Sequence, residues 1–364
     1  PPPRAPCSPP SAARAPPMDD AASIVAAYDR DAAAKEARIA AVLEAAGLGG
    51  LFRGLRRSPV ERGYRMRASV YLARGGDAVA RGVDPRRGRM PLEETLWVLP
   101  EAARPLVREV TDRLAATPRD AGATGFEVRL EFGSGRAHVT VAAERGSAGR
   151  LDDFCAALLD EVGGVLGVAV PSQGIEAGET HLRHVLLGTI ILSHHLAFFQ
   201  TNLWLTPELA AAARSAAADP SRIVDLYCGV GLHSVLAAAP SSVIVGVDTN
   251  RWAIESAERN AALHGLSRAR FERIPVERLV GRPETERPSV VYVNPSRYGC
   301  APGVAERVAA WRPDAVCLVS CSIESHVRDL GAFARAGYRA EPFECFDMFP
   351  FSAFVESVTT LRRP

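Results

Sequence analysis

Apolar positions along the chain fall into two regimes. From Asp19 to Ala46 they recur with helical period through Ile24, Ala27, Tyr28, Ala32, Ile39, Val42 and Leu43, and Gly47 supplies a stop. Lys35 interrupts that stripe. An arginine-rich passage, Phe52 to Ser69, leads into alternating segments around Ser69–Ala73 and Asp77–Val83. A helix is predicted over Pro100–Ala115, and a hairpin over Phe126–Phe132 and Ala137–Ala143 with Gly133, Ser134 and Gly135 as its turn. Leu151–Val162 reads as a helix, and Val165–Val170 and Val185–Leu192 as strands. The first half is therefore a mixed α/β domain with an antiparallel sheet.

The second half changes character. Short apolar runs at Ile223–Leu226, Val243–Val247, Ser289–Val293 and Ala315–Ser320 alternate with helical patterns at Ser234–Ala239, Arg251–His264, Ala305–Ala310 and Ile323–Ala336. Strand–helix alternation of this kind predicts a doubly wound, mostly parallel sheet. The change of pattern divides the chain into a leader, 1–17, a helix plus α/β domain, 18–195, and a Rossmann-like domain, 196–364.

At 364 residues the chain is long enough for two cores, and no run of about 18 uncharged apolar residues marks a membrane span. The net charge of +1 argues neither for nor against a nucleic-acid partner, so any basic footprint must be local. Of the 43 cationic side chains Lys35 is the only lysine, a bias that reads as GC-rich coding before it reads as phosphate binding. The seven cysteines are scattered, odd in number and without a CxxC pair. A disulfide framework, a zinc site and an iron–sulfur cluster are therefore not expected, and no metal site is assigned. His181, His184, His194 and His195 lie close in sequence without metal spacing and read as core or surface residues. The leader is rich in Pro, Ala and Arg and reads as disordered, with Met18 as a plausible native start and the remnant of a transit peptide as the alternative reading of residues 1–17. A reducing, cytoplasmic setting fits the cysteines best, with an organelle as the lesser alternative.

Four features fall where an open parallel sheet binds ligands, at the carboxyl ends of its strands. The first is Asp225-Leu-Tyr-Cys-Gly-Val-Gly231, a strand entering a glycine turn. Gly229 and Gly231 let the backbone turn tightly and approach a ligand, Ser234 stands where a dinucleotide site wants a third glycine, and the acid suits a cationic ligand such as S-adenosylmethionine. The second is Asp248, spaced to accept from both ribose hydroxyls or to cap the helix that follows. The third is Asn294-Pro295, either a base- or cofactor-reading amide or a plain turn. The fourth is Cys321 at the end of Ala315–Ser320, while Cys317 inside that strand reads as an inert core thiol. A strand-end cysteine alone is more often structural than catalytic.

Taken together these residues resemble the RNA uracil-C5 methyltransferase family, which includes the tRNA position-54 enzyme and 23S rRNA enzymes. The matching pieces are Phe198-Phe-Gln-Thr-Asn202, Asp225–Gly231, Asn294-Pro295, Ser320-Cys321, and Phe346-Asp-Met-Phe-Pro350 followed by Glu356, with Ser58-Pro-Val and Tyr64-Arg-Met-Arg-Ala68 upstream. Ser296 replaces the family's usual proline, and Asn294 stands where the tRNA enzymes carry Asp. The resemblance implies S-adenosylmethionine as methyl donor, held by Gln200, Tyr227, Gly229, Gly231, Asp248 and Asn294. It implies addition of the Cys321 thiolate to uracil C6 and removal of the C5 proton by Glu356. The substrate implied is a loop in tRNA or rRNA, with Arg53, Arg56, Arg57, Arg62, Arg65 and Arg67 as candidate phosphate contacts and no obligate protein partner.

Two other readings stay open at this point. One is a catalytically silent RNA-binding or ribosome assembly factor on a methyltransferase scaffold, against which stand Gln200, Asp248, Cys321 and Glu356. The other is an adenine-nitrogen methyltransferase, suggested by Asn294-Pro295, although Ser296 and Arg297 follow and such chemistry has no use for Cys321.

Overall fold

The computed structural model describes residues 21–72, 78–81, 88–131, 134–279 and 287–364. The leader, Cys7, Met18 and the turn residue Gly133 lie outside them, as do the ends of the strands expected around 69–73 and 77–83. The chain opens with α1 (Ala21–Ala45) and β1 (Phe52–Arg56). A first sheet follows, built from β2 (Arg67–Leu72), β3 (Ala78–Arg81), β4 (Arg89–Pro91), β5 (Ala123–Leu130), β6 (Ala137–Ala143), β7 (Val165–Val170) and β8 (Ile175–Gly178). Its spatial order is β4-β3-β2-β5-β6-β7-β8, antiparallel except where β6 meets β7. The helices α2 (Arg104–Ala115) and α3 (Asp152–Glu161) accompany it.

The single strand expected at Val185–Leu192 is a hairpin of β9 (His181–Leu186) and β10 (Thr189–His194). The chain reverses through Leu187 at φ +51° and Gly188 at φ +76°, the two positive dihedrals of a tight hairpin turn. A leucine in the first of those positions conceals the turn from composition. His264 at the end of a later helix approaches the Ile190 carbonyl at 2.7 Å, and Asn260 bonds both backbone groups of Leu192, which fixes the hairpin against the second half.

The second half runs α4 (Thr206–Arg214), β11 (Arg222–Leu226), α5 (Leu232–Ala237), β12 (Val243–Asp248), α6 (Arg251–Leu263), β13 (Ala269–Arg273), α7 (Val276–Leu279) and β14 (Val290–Val293). It continues with α8 (Val304–Ala310), β15 (Ala315–Ser320), α9 (Ile323–Arg335), β16 (Arg339–Ala340), β17 (Phe343–Phe346) and β18 (Glu356–Arg362). Among the described residues the sheet order is β1-β17-β18-β15-β14-β11-β12-β13, with β16 beside β18. Successive strand residues feed opposite cores: Ile223, Ile244, Tyr292 and Cys317 pack with α4, α5 and α6, whereas Val224, Val247, Val293 and Leu318 pack with α7, α8 and α9. Five parallel strands, with β11, β12, β14 and β15 covered on both faces and β13 at the edge, make this the doubly wound sheet expected from the alternation. Its strand order reverses between β12 and β14 on either side of β11, where such sheets open a crevice.

The division at residue 195 fails for the first segment. β1 pairs in parallel with β17, and Ile39 and Leu43 of α1 are buried in the core of the second sheet. Residues 21–56 therefore belong structurally with the second half, because the apolar stripe of α1 finds its cover there. Lys35, the apparent flaw in that stripe, is buried and lies 2.5 Å from Asp347 Oδ1, while Tyr28 donates to the other oxygen at 3.0 Å. No helix among the described residues is long and apolar enough to cross a membrane.

A buried ion pair loses far more when one partner is removed than it contributes intact, because the survivor is left desolvated. Lys35→Ala is expected to lower the unfolding free energy by about 3–5 kcal/mol in urea denaturation. A loss below about 1 kcal/mol, the value for an exposed pair, would show that Asp347 is not held in this way.

Candidate active site

The glycine turn is built by strain as well as by glycine. Tyr227, directly after β11, has φ +59°, and Gly229 and Gly231 follow at φ +54° and +76°. A side chain on Gly231 would press on Ala257 and Phe271 at 3.3–3.4 Å, so helix packing demands glycine there, whereas a Cβ on Gly229 would meet nothing within 4 Å. Left-handed backbone at a tyrosine persists only where the surroundings over-determine it. Here Cys228 N–H donates to the Val247 carbonyl and Gly231 N–H to the Cys228 carbonyl, which locks the turn to β12. Burial pushes the Tyr227 phenol up to about 12, so its hydroxyl stays protonated.

Asp248 ends β12, but it is not the helix cap. Asn250 caps α6, accepting from Trp252 N and Ala253 N, while Asp248 accepts from Gly229 N at 3.0 Å and from Asn250 N at 2.8 Å. Each Asp248 oxygen thus has one backbone donor and keeps a lone pair for another. Asn250 Nδ2 also donates to the Leu196 carbonyl, tying the segment that begins the Phe198–Asn202 motif to this strand end. A composition reading passes over Asn250, although its place two residues after Asp248 and before Arg251–Leu263 is a helix-start signal. Asp225 lies behind the turn, fully buried; its Oδ2 accepts from Ser234 N, and burial raises its carboxyl to about 7.

Across β11 from Asp248 stands β14, and Asn294 follows it, half-buried, with its N–H donating to the Leu226 carbonyl. Next in order is β15, and then β18 running antiparallel to it. Their register pairs Ala315 with Arg362 and Ser320 with Ser357, so one further step sets Cys321 beside Glu356. Glu356 is 4% exposed and Cys321 is only partly covered, at the point where α9 begins behind the Ser322 cap. Burial pushes the Cys321 thiol up to about 12, with the Glu356 charge adding to it and the Arg297 guanidinium opposing. Burial alone raises the Glu356 carboxyl to about 8. Thiol and carboxyl share one poorly solvated corner in which only one negative charge is readily accommodated.

The segment that delivers Glu356 is clamped by α1. Asp347 is held by Lys35 and Tyr28, Lys35 Nζ also donates to the Phe349 carbonyl, Asp31 accepts from Phe351 N, and Arg38 donates to the Ala353 carbonyl. Tyr64 donates to the Pro350 carbonyl from the other side. The Phe346–Pro350 motif is therefore a structural clamp in front of the carboxylate.

Gln200 and the six arginines complete the expected set. Gln200 is buried in a cavity of about 20 Å³ beside Arg67, Arg129 and His184, against the first sheet and the β9–β10 hairpin, and its Oε1 has no partner among the described residues. The six arginines do not converge on one basic face. Arg56 is forked onto Glu344 and reaches Glu208, Arg57 pairs with Asp29 and Arg67 with Glu127. Arg65 turns inward, with Nε buried, which leaves Arg53 exposed and Arg62 half-buried. Acids brought from distant elements intercept these cations, which their sequence proximity does not reveal.

Glu176, His194 and His195 come close enough together to hold an ion. Their hydrogen bonds account for them without one: Leu196 N–H donates to His194 Nδ1, so Nε2 of the neutral ring carries the proton, and the Glu176 carboxylate is hydrogen-bonded to His195 Nε2 at 2.9 Å. The rings stack in a column of His138, His195, His194 and Trp252 at 3.8, 4.4 and 4.2 Å, and burial lowers His194 to about 3. This column ties the first sheet to α6.

No family model matches the chain. It is 35% identical over 188 residues to an uncharacterised RNA methyltransferase of Caldanaerobacter subterraneus subsp. tengcongensis, covering 51% of this chain and 42% of that protein. It is 32% identical over 191 residues to the 23S rRNA (uracil(747)-C(5))-methyltransferase of Shewanella amazonensis, covering 50% of this chain and 48% of that protein. The chain thus matches less than half the length of these curated relatives. Among solved structures, the Pyrococcus abyssi tRNA (uracil-54, C5)-methyltransferase in complex with S-adenosyl-L-homocysteine superposes with a TM-score of 0.71 at 21% identity, covering 92% of this chain and 83% of that one. The fold is that of a class I methyltransferase. The Rossmann-like sheet preceded by an antiparallel α/β unit matches the expectation from sequence.

The buried acids make stability depend on pH in a defined direction. Between about pH 4.5 and 8 the unfolded chain has ionised Glu356 while the folded chain retains its proton, so stability falls as pH rises through this window and levels off above it. Asp225 acts in the same sense between its ordinary range and about 7. At about 1.4 kcal/mol per pK unit the Glu356 contribution is on the order of a few kcal/mol. Glu356→Gln should flatten the decline of the thermal midpoint between pH 5 and 8, and an unchanged slope would contradict this environment for Glu356.

Proposed function

We propose that the chain is an S-adenosylmethionine-dependent RNA methyltransferase acting on C5 of a uridine in tRNA or rRNA. The observation that carries this reading is the register of β15 and β18, which sets a thiol beside a buried carboxyl at the carboxyl edge of a class I methyltransferase sheet. Similarity to a 23S rRNA uracil-C5 enzyme and to the fold of a tRNA uracil-C5 enzyme supports it.

The residues present suit the donor. Asp248 keeps acceptor capacity for ribose hydroxyls, Gly229 leaves the backbone open to close approach, and the acid-lined turn favours a cation over a pyrophosphate. Tyr227, Gly231 and Asn294 frame this space, and Gln200 carries a buried acceptor without a partner among the described residues. The bound donor supplies an electrophilic methyl group.

Cys321, once ionised, adds to C6 of the uracil and makes C5 nucleophilic, which divides an inaccessible substitution into addition, transfer and elimination. Its thiol must lose a proton that burial retains, so binding has to bring either solvent access or positive charge to the sulfur. After C5 carries the methyl group, the Glu356 carboxylate takes the C5 proton, the C5–C6 double bond reforms and Cys321 leaves as thiolate. A carboxyl raised to about 8 is a stronger proton acceptor than an exposed one. Glu356 then returns that proton to solvent, which balances the proton displaced from C5.

Transfer of labelled methyl from S-adenosylmethionine to unmodified tRNA or rRNA is the direct assay. Cys321→Ala is expected to abolish it, and normal turnover by that variant would end the proposal. RNA carrying 5-fluorouridine should trap a covalent complex through Cys321, since fluorine cannot leave as a proton. Asp248→Ala should weaken S-adenosylmethionine binding by roughly tenfold or more, the loss of a charge-assisted hydrogen bond. Because both groups must ionise, the methylation rate should climb from pH 6 to 8.5.

A further inference from the structure

The loop after β14 carries a feature that the mechanism above leaves unused. Tyr298 is 71% exposed, more than any other large apolar side chain among the described residues. Its backbone is nonetheless fixed. Arg328 donates to the Tyr298 carbonyl, Gly299 N–H closes a turn onto the Ser296 carbonyl at 2.7 Å, and Cys300 N–H donates to Asp329 at 2.9 Å. Gly299 has φ +74°, and a Cβ there would collide with Arg328 and Asp329, so the loop lies flat on α9. A rigid turn thus holds an aromatic ring in solvent.

Its place is specific. β14 and β15 are parallel neighbours with Val293 opposite Leu318, so residues 294–300 and Cys321 emerge on the same edge of the sheet. Arg297, also exposed, lies with its guanidinium 5.0 Å from the Tyr298 ring centroid and donates to the hydroxyl at 2.9 Å. Ser296 and Arg297 flank the ring with polar groups, which provides no apolar patch for a protein partner. A ring with a cation at its side is the combination that holds an unstacked base and the adjoining phosphate.

We propose that Tyr298 is a stacking platform for an unpaired RNA base next to the target uridine, with Arg297 facing the phosphate beside it. This inference rests on the RNA methyltransferase reading. A base cannot reach Cys321 without leaving its stack, and the base it abandons loses a partner. A pre-positioned ring replaces that partner without an ordering cost at the moment of binding.

The test uses the full chain and a fluorescein-labelled 12-residue oligouridylate at fixed salt, read by anisotropy, with methyl transfer to tRNA and rRNA in parallel. Tyr298→Ala should weaken binding by roughly tenfold to a hundredfold, the loss of one base–aromatic stack, and raise KM for RNA while kcat changes little. Tyr298→Phe and Tyr298→Trp should bind within about threefold of the parent, because the ring face is what counts. S-adenosylmethionine binding and the thermal midpoint should be unaffected in all three, as expected for an exposed side chain. If the parent binds and methylates RNA while Tyr298→Ala matches it in affinity and KM, the platform is overturned and the enzymatic reading stands. Equal losses in Tyr298→Phe and Tyr298→Ala would likewise reject stacking. A parent that neither binds nor methylates RNA removes both.

Discussion

The antiparallel pairing of β18 with β15 is the constraint on which the proposed chemistry of this molecule depends. A doubly wound sheet delivers strand-end residues to one edge, but a carboxylate at the start of an antiparallel strand reaches that edge only when the strand enters in a particular register. A slip of one residue would turn Glu356 to the other face and place Ser357 beside the thiol. The register is secured ahead of the strand, where α1 grips residues 347–353 through Lys35, Asp31, Arg38 and Tyr28. The only lysine of the chain is the centre of that grip.

The same packing sets the electrostatics of the corner. Burial raises both the Cys321 thiol and the Glu356 carboxyl, and the Glu356 charge adds to the rise at Cys321. Burial thus favours the protonated form of both groups. Arg297, the cation that opposes this at Cys321, is exposed on the β14 loop. In the proposed mechanism such an arrangement withholds the Cys321 thiolate until the substrate changes its surroundings.

One apolar core runs through both sheets, and polar groups held neutral add to the junction. The column of His138, His195, His194 and Trp252 and the Asn260 bonds to Leu192 cross between β6, β10 and α6 without a buried charge. Asn250 and Asn202 hold the two ends of residues 196–202, through the Leu196 carbonyl and Ser58 respectively. The segment containing Gln200 is thus suspended between the sheets, so any movement of one against the other would be felt there.

Local pattern was enough to determine a great deal. Alternation of apolar runs specified the parallel strands, because residues buried on both faces of a sheet leave an uninterrupted apolar signature, and α1, α6, α9 and the glycine turn lay close to their expected bounds. Cys321 and Glu356 could be singled out by position and resemblance. What the sequence did not contain was the membership of β1 and α1 in the second sheet, the hairpin turning through Leu187, and the ion pairs that occupy Arg56, Arg57 and Arg67. Nor did it show that Lys35 is a buried counter-ion rather than a break in a stripe. The physical reason is common to all of these. Periodicity reports which face of an element must leave water, whereas the identity of the covering element, and of the charge that meets a buried charge, is decided only when distant segments pack together.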